Sequence, residues 1–282
     1  MKKLWNPRKR PLSLLLRLLT LGAAGITMFV ILFLIGYILV KGLPHLSLSL
    51  FAWEYTSVNV SFAPALINTV LITLASLLLA VPVGVAAAVW LAEYARRGSR
   101  LITAVRLAAD TLAGIPSIIY GLFGMLLFVV SLGWGYSLLA GAFTLGVMIL
   151  PLIMRTTEEA LMSVPDSYRE GSFGLGAGKL RTVFAIVLPA AAPGILAGVI
   201  LAVGRIAGET AALIFTAGTV PKIPSSPFSS ARTLAVHMYS LSSEGLHINQ
   251  AYAAAVALLV LVIGINSLSG FLARKIGNRR AE

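Results

Sequence analysis

The sequence of 282 residues contains no cysteine and few charged residues. The absence of cysteine excludes disulfide bonds, thiolate metal sites and cysteine nucleophiles. Charged residues make up 11% of the chain, whereas a soluble domain of this size would need about a quarter. Because 58% of the residues are also hydrophobic, we predict an all-α, polytopic membrane protein that is solvated mostly by lipid.

Histidine is also scarce, and the sequence lacks the motifs of common hydrolases. The three histidines, His45, His237 and His247, are far apart, and neither H-E-x-x-H nor G-x-S-x-G occurs. We therefore expect no catalytic residue and no metal site. All three histidines fall in segments predicted to lie outside the membrane, so we interpret them as solvated surface residues.

The glycine-rich stretch Gly171–Leu180 resembles a nucleotide-binding loop but fails the test for one. In the phosphate-binding loop G-x-x-x-x-G-K-[ST], a glycine is required where this chain has Phe173, and a magnesium-binding hydroxyl where it has Leu180. We predict that the chain is not an enzyme and binds no cofactor itself.

Long uncharged stretches predict about six transmembrane helices. The first, Leu18–Val40, would be about 34 Å long as a helix, against about 30 Å for the hydrocarbon core. A signal peptide is the alternative, but the apolar run exceeds the usual ~7–15 residues and no A-x-A cleavage site follows. The other spans are predicted at Leu66–Leu91 with a kink at Pro82, on either side of a turn at Gly133–Gly135, from about Pro189 to Leu213, and from about Ile248 to Ala273.

Lys and Arg alternate in density between successive segments, which determines the predicted orientation. Eighteen of the 22 fall in the terminal segments and two alternate loops, whereas the intervening segments hold Lys41, Lys222 and Arg232. By the positive-inside rule, both termini are predicted to face the cytoplasm. Because the basic residues lie in clusters between apolar runs, we exclude a nucleic-acid binder. The predicted parts are a basic cytoplasmic tail 1–17 and a transmembrane domain 18–282, with a cytoplasmic loop 155–189 and an outer loop 218–250.

The outer loop begins with prolines and serines and continues with an amphipathic helical pattern at Leu234–Leu241. An extended segment followed by a helix outside the membrane could dock a soluble partner. A simple tether between spans five and six is the alternative.

The cytoplasmic loop is predicted to form a helix, a turn and a second short helix. Ser163 or Ser167 could cap the first helix, and Ser167 with Glu170 would make a capping box. Glycines at positions 174, 176 and 178 are predicted to end that helix, and the second helix then runs to Pro189. A rigid helix exposed between two spans is suited to transmit force from a partner.

The same loop carries a family resemblance. Glu170-Gly171-Ser172, Gly176, Ile186 and Leu188-Pro189 resemble the EAA---G---------I-LP signature of permease subunits of binding-protein-dependent ABC importers, with loose matches at the two alanines. The resemblance implies the type I importer permease (MetI-like) fold and a coupling helix that docks on a cytoplasmic ATPase. It assigns ATPase coupling to Glu170, Gly171, Ser172 and Gly176. An ordinary amphipathic loop without a partner is the alternative.

Three further segments resemble the phosphate-specific (PstA-type) permeases of that family. They are DTLAGIPSIIYGLFG at Asp110–Gly124, PLIMRTTE at Pro151–Glu158 and GRIAGETAALIFTAG at Gly204–Gly218. The resemblance implies translocation of inorganic phosphate across the cell inner membrane. It also implies a homologous second permease subunit, an ATPase dimer that holds ATP and magnesium, and an extracytoplasmic phosphate-binding protein. Importers of another oxyanion, such as sulfate or molybdate, and a secondary anion transporter are the alternatives.

Charged residues inside the predicted spans are candidates for the substrate pathway, because a buried charge in a span is costly and marks such pathways. Arg205 is expected to contact the anion, since a guanidinium offers two parallel N–H donors to an oxyanion. Glu209, four residues on, is expected on the same helix face, where it would orient Arg205 and weaken its grip. An inert ion pair between spans five and six is the alternative.

Arg155 is a second pathway candidate or a positive-inside anchor, and Asp110 is expected to be a helix cap or to pair locally with Arg106.

Two G-x-x-x-G pairs, Gly194/Gly198 and Gly204/Gly208, predict close helix approach in lipid. The second pair brackets Arg205 and would bring another helix close to it. That helix would belong either to the second permease subunit or to this chain.

Overall fold

The structure is a computed structural model that describes residues 11–96 and 98–278. The regular structure in these residues is helical, which confirms the predicted all-α class. The helices are α1 Pro11–Gly42, α2 Ala63–Val89, α3 Arg100–Ala113, α4 Ser117–Gly124, α5 Leu138–Met162, α6 Asp166–Gly174, α7 Lys179–Thr182, α8 Leu188–Ala207, α9 Ala211–Ile214, α10 Leu234–Glu244 and α11 Ile248–Asn278. Three π-helical segments, Trp90–Tyr94, Met125–Ser131 and Val183–Val187, extend α2, extend α4 and join α7 to α8. Much of the predicted tail, Arg97 and residues 279–282 lie outside the described residues.

The predicted number of about six membrane spans agrees with the five or six candidate spans of the structure, but the predicted third span is not one straight helix. Among the described residues, five helices are long and apolar enough to span a membrane, and α3 with α4 and its π-helical extension passes the same test only as a pair that bends by 99°. The bend follows from the sequence between them, because Pro116 disfavours a helical conformation at the residue before it. The predicted turn after this crossing is confirmed, with φ of +67° at Gly133 and +64° at Gly135.

The predicted bounds of the fifth span, Pro189 to Leu213, are wrong at both ends. The span runs from Lys179 to Ala207, so the predicted second short helix of the cytoplasmic loop is the first part of this span. A π-helical segment precedes Pro189, which has no N–H to donate to the regular α-helical pattern.

Helix α5 lies at the centre of the bundle and packs against both α2 and α8. Small residues permit these contacts: a Cβ at Gly84 would lie 2.9 Å from Ile153 Cγ2, and one at Gly194 would lie 2.6 Å from Ala160 Cβ. The first G-x-x-x-G pair therefore packs within this chain. For the second pair, no heavy atom of the described residues lies closer than 3.9 Å to a Cβ built at Gly204 or Gly208.

Helix α1 stands apart from the bundle. Each of its residues from 12 to 34 is exposed, and its contact with α11 is confined to its last two turns. At that end, a Cβ on Gly42 would collide with the carbonyl oxygen of Tyr252.

The outer loop folds back onto the bundle. Asn68 Nδ2 in α2 donates to the carbonyls of Lys222 at 2.9 Å and Arg232 at 3.1 Å, and Leu234 N donates to Thr69 Oγ1 at 2.8 Å. The predicted helix in this loop is confirmed as α10. It is not a loose tether, because Asn68 and Thr69 provide hydrogen-bonding groups that the returning backbone satisfies.

Candidate functional site

The helix that carries the family signature, α6, begins differently from the prediction. Pro165 is its N-cap residue and no side chain caps it, so neither Ser163 nor Ser167 has the predicted role. Ser163 instead follows the last residue of α5 as its C-cap. Pro165 disfavours a helical conformation at the preceding residue, so α5 ends before it and α6 starts after it.

The end of α6 is a Schellman motif centred on Gly176. Ala177 N donates to Ser172 O at 3.1 Å, Gly176 N donates to Phe173 O at 2.9 Å, and φ of Gly176 is +80°. These are the bonds that close a helix whose next residue adopts a left-handed conformation. The prediction that glycines end this helix is confirmed, with Gly176 as the left-handed residue.

Arg169, which was not singled out from the sequence, fixes α6 to the membrane helices. Its guanidinium donates to Glu93 at the end of span two, with a shortest distance of 2.7 Å, and to the carbonyls of Leu161 and Val164 at 2.9 and 2.8 Å. The hydrogen bonds to Glu93 raise the pKa of Arg169 above its usual value. The sequence feature that could have indicated this ion pair is Glu93, a carboxylate at the end of the predicted second span. This clamp makes α6 a rigid extension of spans two and four.

The outward surface of α6 is open to a partner. Glu170 and Gly171 are exposed, and no heavy atom lies within 4 Å of a Cβ built at Gly171. Leu175, at the following turn, is 91% exposed, which is unusual for leucine at the end of a rigid helix. Of the predicted coupling residues, Ser172 alone faces inward, where its hydroxyl lies 2.8 Å from Thr182 Oγ1.

Ion pairs tie α3 to α5 at the same end of the bundle. Arg106 Nη2 lies 2.6 Å from Glu158, whose side chain is buried, and Arg155 pairs with Asp110. The expected local pair of Asp110 with Arg106 is wrong, since α3 turns these residues towards different partners on α5. Arg155 is 52% exposed and also lies 4.0 Å from Glu159. Among the described residues, no group of three or more His, Cys, Asp or Glu side chains could hold a metal ion.

Arg205 and Glu209 do not form the predicted pair. Helix α8 ends at Ala207, so the two residues do not share one helix face. Glu209 Oε1 instead accepts a hydrogen bond from Ala212 N at 3.1 Å, across the first turn of α9. Arg205 is exposed on the last turn of the span and forms no ion pair with a described residue. Arg205 lies near enough to the hydroxyl group of Tyr120 in α4 to interact with it electrostatically.

Two interrupted helices meet beside Arg205. The α3–α4 break and the α8–α9 break come together at Gly121, where α4 approaches α9 so closely that a Cβ on this glycine would lie only 2.8 Å from Ala212 Cα. The Tyr120 hydroxyl donates to Leu112 O at 2.8 Å and so satisfies a carbonyl near the end of α3. Irregular backbone at membrane depth is tolerated where protein or a water-filled cavity surrounds it. Tyr120, Gly121 and Ala212 are buried at this meeting point, so the irregular backbone is surrounded by protein, with Arg205 exposed on the adjacent last turn of α8.

A second cluster that sequence reasoning missed lies under the outer loop. Arg232 is 8% exposed, donates to Thr219 O at 2.6 Å, and lies 5.7 Å from the centre of the Tyr55 ring. His237 is fully buried beside it, so its interpretation as a solvated histidine is wrong. Burial and the neighbouring Arg232 lower the pKa of His237 to about 4, and burial lowers the pKa of Arg232. In this cluster the charged Arg232 and the neutral His237 hold the outer loop to the bundle.

Comparison with known proteins places the chain among transport permeases. Residues 80–280 match the model of the family described as binding-protein-dependent transport system inner membrane component. The chain is 35% identical over 238 residues to the probable ABC transporter permease protein YqgI of Bacillus subtilis, covering 79% of this chain and 81% of that protein. It is 40% identical over 209 residues to the phosphate transport system permease protein PstA of Haemophilus influenzae, covering 71% and 72%. A chain of a bacterial alginate ABC transporter shares the fold, with a TM-score of 0.69 at 17% identity, covering 96% of this chain and 97% of that one.

Proposed function

Because this chain belongs to the family of binding-protein-dependent transport system inner membrane components, we propose that it is the permease subunit through which an ATP-driven importer passes inorganic phosphate. The observation that carries the proposal is Arg205, which is exposed beside the meeting point of two helix breaks and forms no ion pair with a described residue. Relatives named as phosphate transport permeases, 34–40% identical, favour phosphate over the other oxyanions.

The geometry supports a transient anion site at Arg205. A guanidinium that is free of carboxylates presents parallel N–H donors to the oxygens of phosphate. Glu209 is engaged with the amide of Ala212, so we now assign it to shaping the helix break. Arg155 is a weaker candidate for the pathway, because Asp110 already occupies its guanidinium.

We assign the coupling of ATP hydrolysis to α6 and its following turn. The chain itself has no catalytic residue in this proposal, and the ATP and magnesium belong to a cytoplasmic ATPase dimer. Glu170, Gly171 and Gly176 would contact the ATPase, whereas Ser172 would hold α6 to span five through Thr182. The Arg169 clamp then carries movement of α6 into spans two and four.

The remaining partners and the orientation follow from the same arrangement. The coupling-loop end of the bundle carries exposed Arg96, Arg100 and Arg181, which supports a cytoplasmic position for this end and for both termini. A homologous second permease subunit would face the open pair Gly204/Gly208 beside Arg205. An extracytoplasmic phosphate-binding protein would dock at the opposite end, on the outer loop.

Reconstitution of the complete importer in proteoliposomes tests the substrate and the energy source. We expect uptake of radiolabelled phosphate that requires ATP and the binding protein and is not reduced by excess sulfate. Competition by sulfate would show that the importer accepts several oxyanions and is not specific for phosphate. Uptake without ATP would overturn the importer in favour of a secondary transporter.

A separate substitution tests the coupling surface. Gly171→Phe adds a bulky side chain where this chain has open space, so we expect a folded subunit that no longer co-purifies with the ATPase. Ser242→Phe, at an exposed position of α10 at the other end of the bundle, is the matched control and should retain the ATPase. Normal co-purification of both variants would remove α6 from the ATPase interface.

A further inference from the structure

A groove on the outside of the bundle, between spans two and five, has the dimensions of one membrane leaflet. Its volume is about 650 Å³. One wall is the α2 side from Val81 to Tyr94, and the other is formed by Leu180, Phe184 and Leu188 at four-residue spacing. Val81 to Tyr94 corresponds to about 20 Å of helix, close to half of the ~40–45 Å bilayer thickness.

The lining of this groove is apolar over its length and aromatic at one end. None of its ten lining side chains is charged. Trp90 and Tyr94 lie at the end nearest the coupling loop, the position that such residues favour at a membrane–water interface. Leu180 is 67% and Phe184 is 60% exposed, so no other described part of the chain covers this wall.

One cation, Lys179, stands at the aromatic end of the groove, and Arg181 follows it in the same short helix α7. Lys179 Nζ lies 5.0 Å from the centre of the Tyr94 ring, and Arg181 is exposed two residues further on. Neither forms an ion pair with a described residue, whereas Arg169 nearby is fully engaged with Glu93. An anion at the membrane surface would therefore meet free positive charge at the point where the apolar groove ends.

We propose that the groove binds an anionic phospholipid, with an acyl chain along Val81–Tyr94 and the phosphate headgroup at Lys179 and Arg181. A transmembrane helix of a second chain is the competing occupant. A helix about 10 Å across and about 20 Å long fills about 1,600 Å³, more than twice the volume of the groove. The fit to a single chain and the free charge at one end both favour the lipid.

Native mass spectrometry of the full chain, released from detergent with phosphatidylglycerol or phosphatidylcholine present, tests the site. Ala86→Phe fills the groove and should reduce retained phosphatidylglycerol by about tenfold or more, since losing the contacts of even two methylene groups has that effect. Val83→Phe, on an exposed position of α2 outside the groove, is the matched control and should retain the lipid.

Removal of the positive charge of Lys179 tests the contact with the lipid headgroup. Lys179→Gln should lower the preference for phosphatidylglycerol over phosphatidylcholine about fivefold, the factor for one basic residue at an anionic surface. Lys222→Gln, at the opposite end of the bundle, should leave the preference unchanged. Equal lipid loss in Ala86→Phe and Val83→Phe, or an unchanged preference in Lys179→Gln, would overturn the proposal.

The chain's lack of cysteine provides a direct test of the competing occupant. Ala86→Cys introduces a single thiol in the groove of the assembled importer. When this thiol is labelled with a photoactivatable maleimide, which inserts into any neighbouring C–H bond, we expect it to cross-link to lipid and not to a protein. A cross-link to a second permease chain would assign the groove to a helix instead.

Discussion

The arginines near the coupling loop and those further along the chain use their charge in opposite ways. Arg106, Arg155 and Arg169 each bind a carboxylate on another element, whereas Arg205 and Arg232 bind none among the described residues. The paired arginines hold α3, α5 and α6 in fixed positions. Of the five, only Arg205 is both exposed and free of a carboxylate, so its charge remains available to a ligand.

The most damaging change is expected at the Arg169 clamp. Arg169→Met leaves Glu93 buried without its partner, which should destabilise the subunit by about 3–5 kcal/mol and be seen as a lower melting temperature in detergent. Adding Glu93→Gln should recover part of that loss, because the buried charge is then removed. An Arg169→Met variant as stable as the unmodified subunit would show that the clamp contributes little.

Acidification is expected to weaken the outer cluster. His237 has a pKa of about 4 in the folded chain against 6.5 when unfolded, so the unfolded state gains protons first as the pH falls. Stability is then constant above pH 6.5 and decreases between 6.5 and 4, by up to about 3 kcal/mol. Thermal melting across this range measures the effect. His237→Gln should flatten the profile and His45→Gln, an exposed control, should not; an unchanged slope in both would reject the assignment.

At Arg205 the expected effect is on transport rather than on folding. Arg205→Gln should reduce phosphate uptake in proteoliposomes by about 10- to 150-fold, the range for losing a hydrogen bond to a charged group. Arg205→Lys keeps the charge without the fork and should retain an intermediate rate. Expression and ATPase co-purification are the controls for assembly. Normal uptake by Arg205→Gln would remove this residue from the pathway.

The smallest effect is expected at the exposed pair of Arg155 and Asp110. Both side chains are about half exposed, so Asp110→Asn should change stability by less than about 1 kcal/mol. The substitution frees Arg155, and uptake should remain within about twofold of the unmodified importer if Arg155 only anchors the helix end. A large change in uptake would instead place Arg155 beside Arg205 as a second contact for the anion.

Periodic and compositional features of the sequence predicted the architecture well, because lipid solvation and helical spacing act on each span separately. The number of spans, five or six in the structure, the turn at Gly133–Gly135 and the end of α6 at its glycines depend on local chemistry and agree with the prediction. Pro116 accounts locally for the break between α3 and α4, but the 99° angle of that break and the early end of α8 are different in kind. They depend on which helices meet, as α4 and α9 do at Gly121, and no local pattern records that contact.

Side-chain partners were predicted least well, since long arginines choose among carboxylates that are distant in sequence. Asp110 lies four residues from Arg106, yet it binds Arg155 across the interface between α3 and α5. The burial of His237 has the same origin: Asn68 and Thr69 draw the outer loop inward, and neither signals this in its own segment. The roles of Arg205 and of the coupling residues stay predictions that the experiments above address.

The isolation of α1 has a mechanical consequence. From residue 12 to Gly42 the helix is about 45 Å long, and its residues 12–34 are exposed, whereas Gly42 packs tightly against Tyr252. A tilt of about 10° around that contact moves the far end by about 8 Å. Bilayer thickness and any neighbour in the membrane can therefore act on the angle of α1 over most of its length.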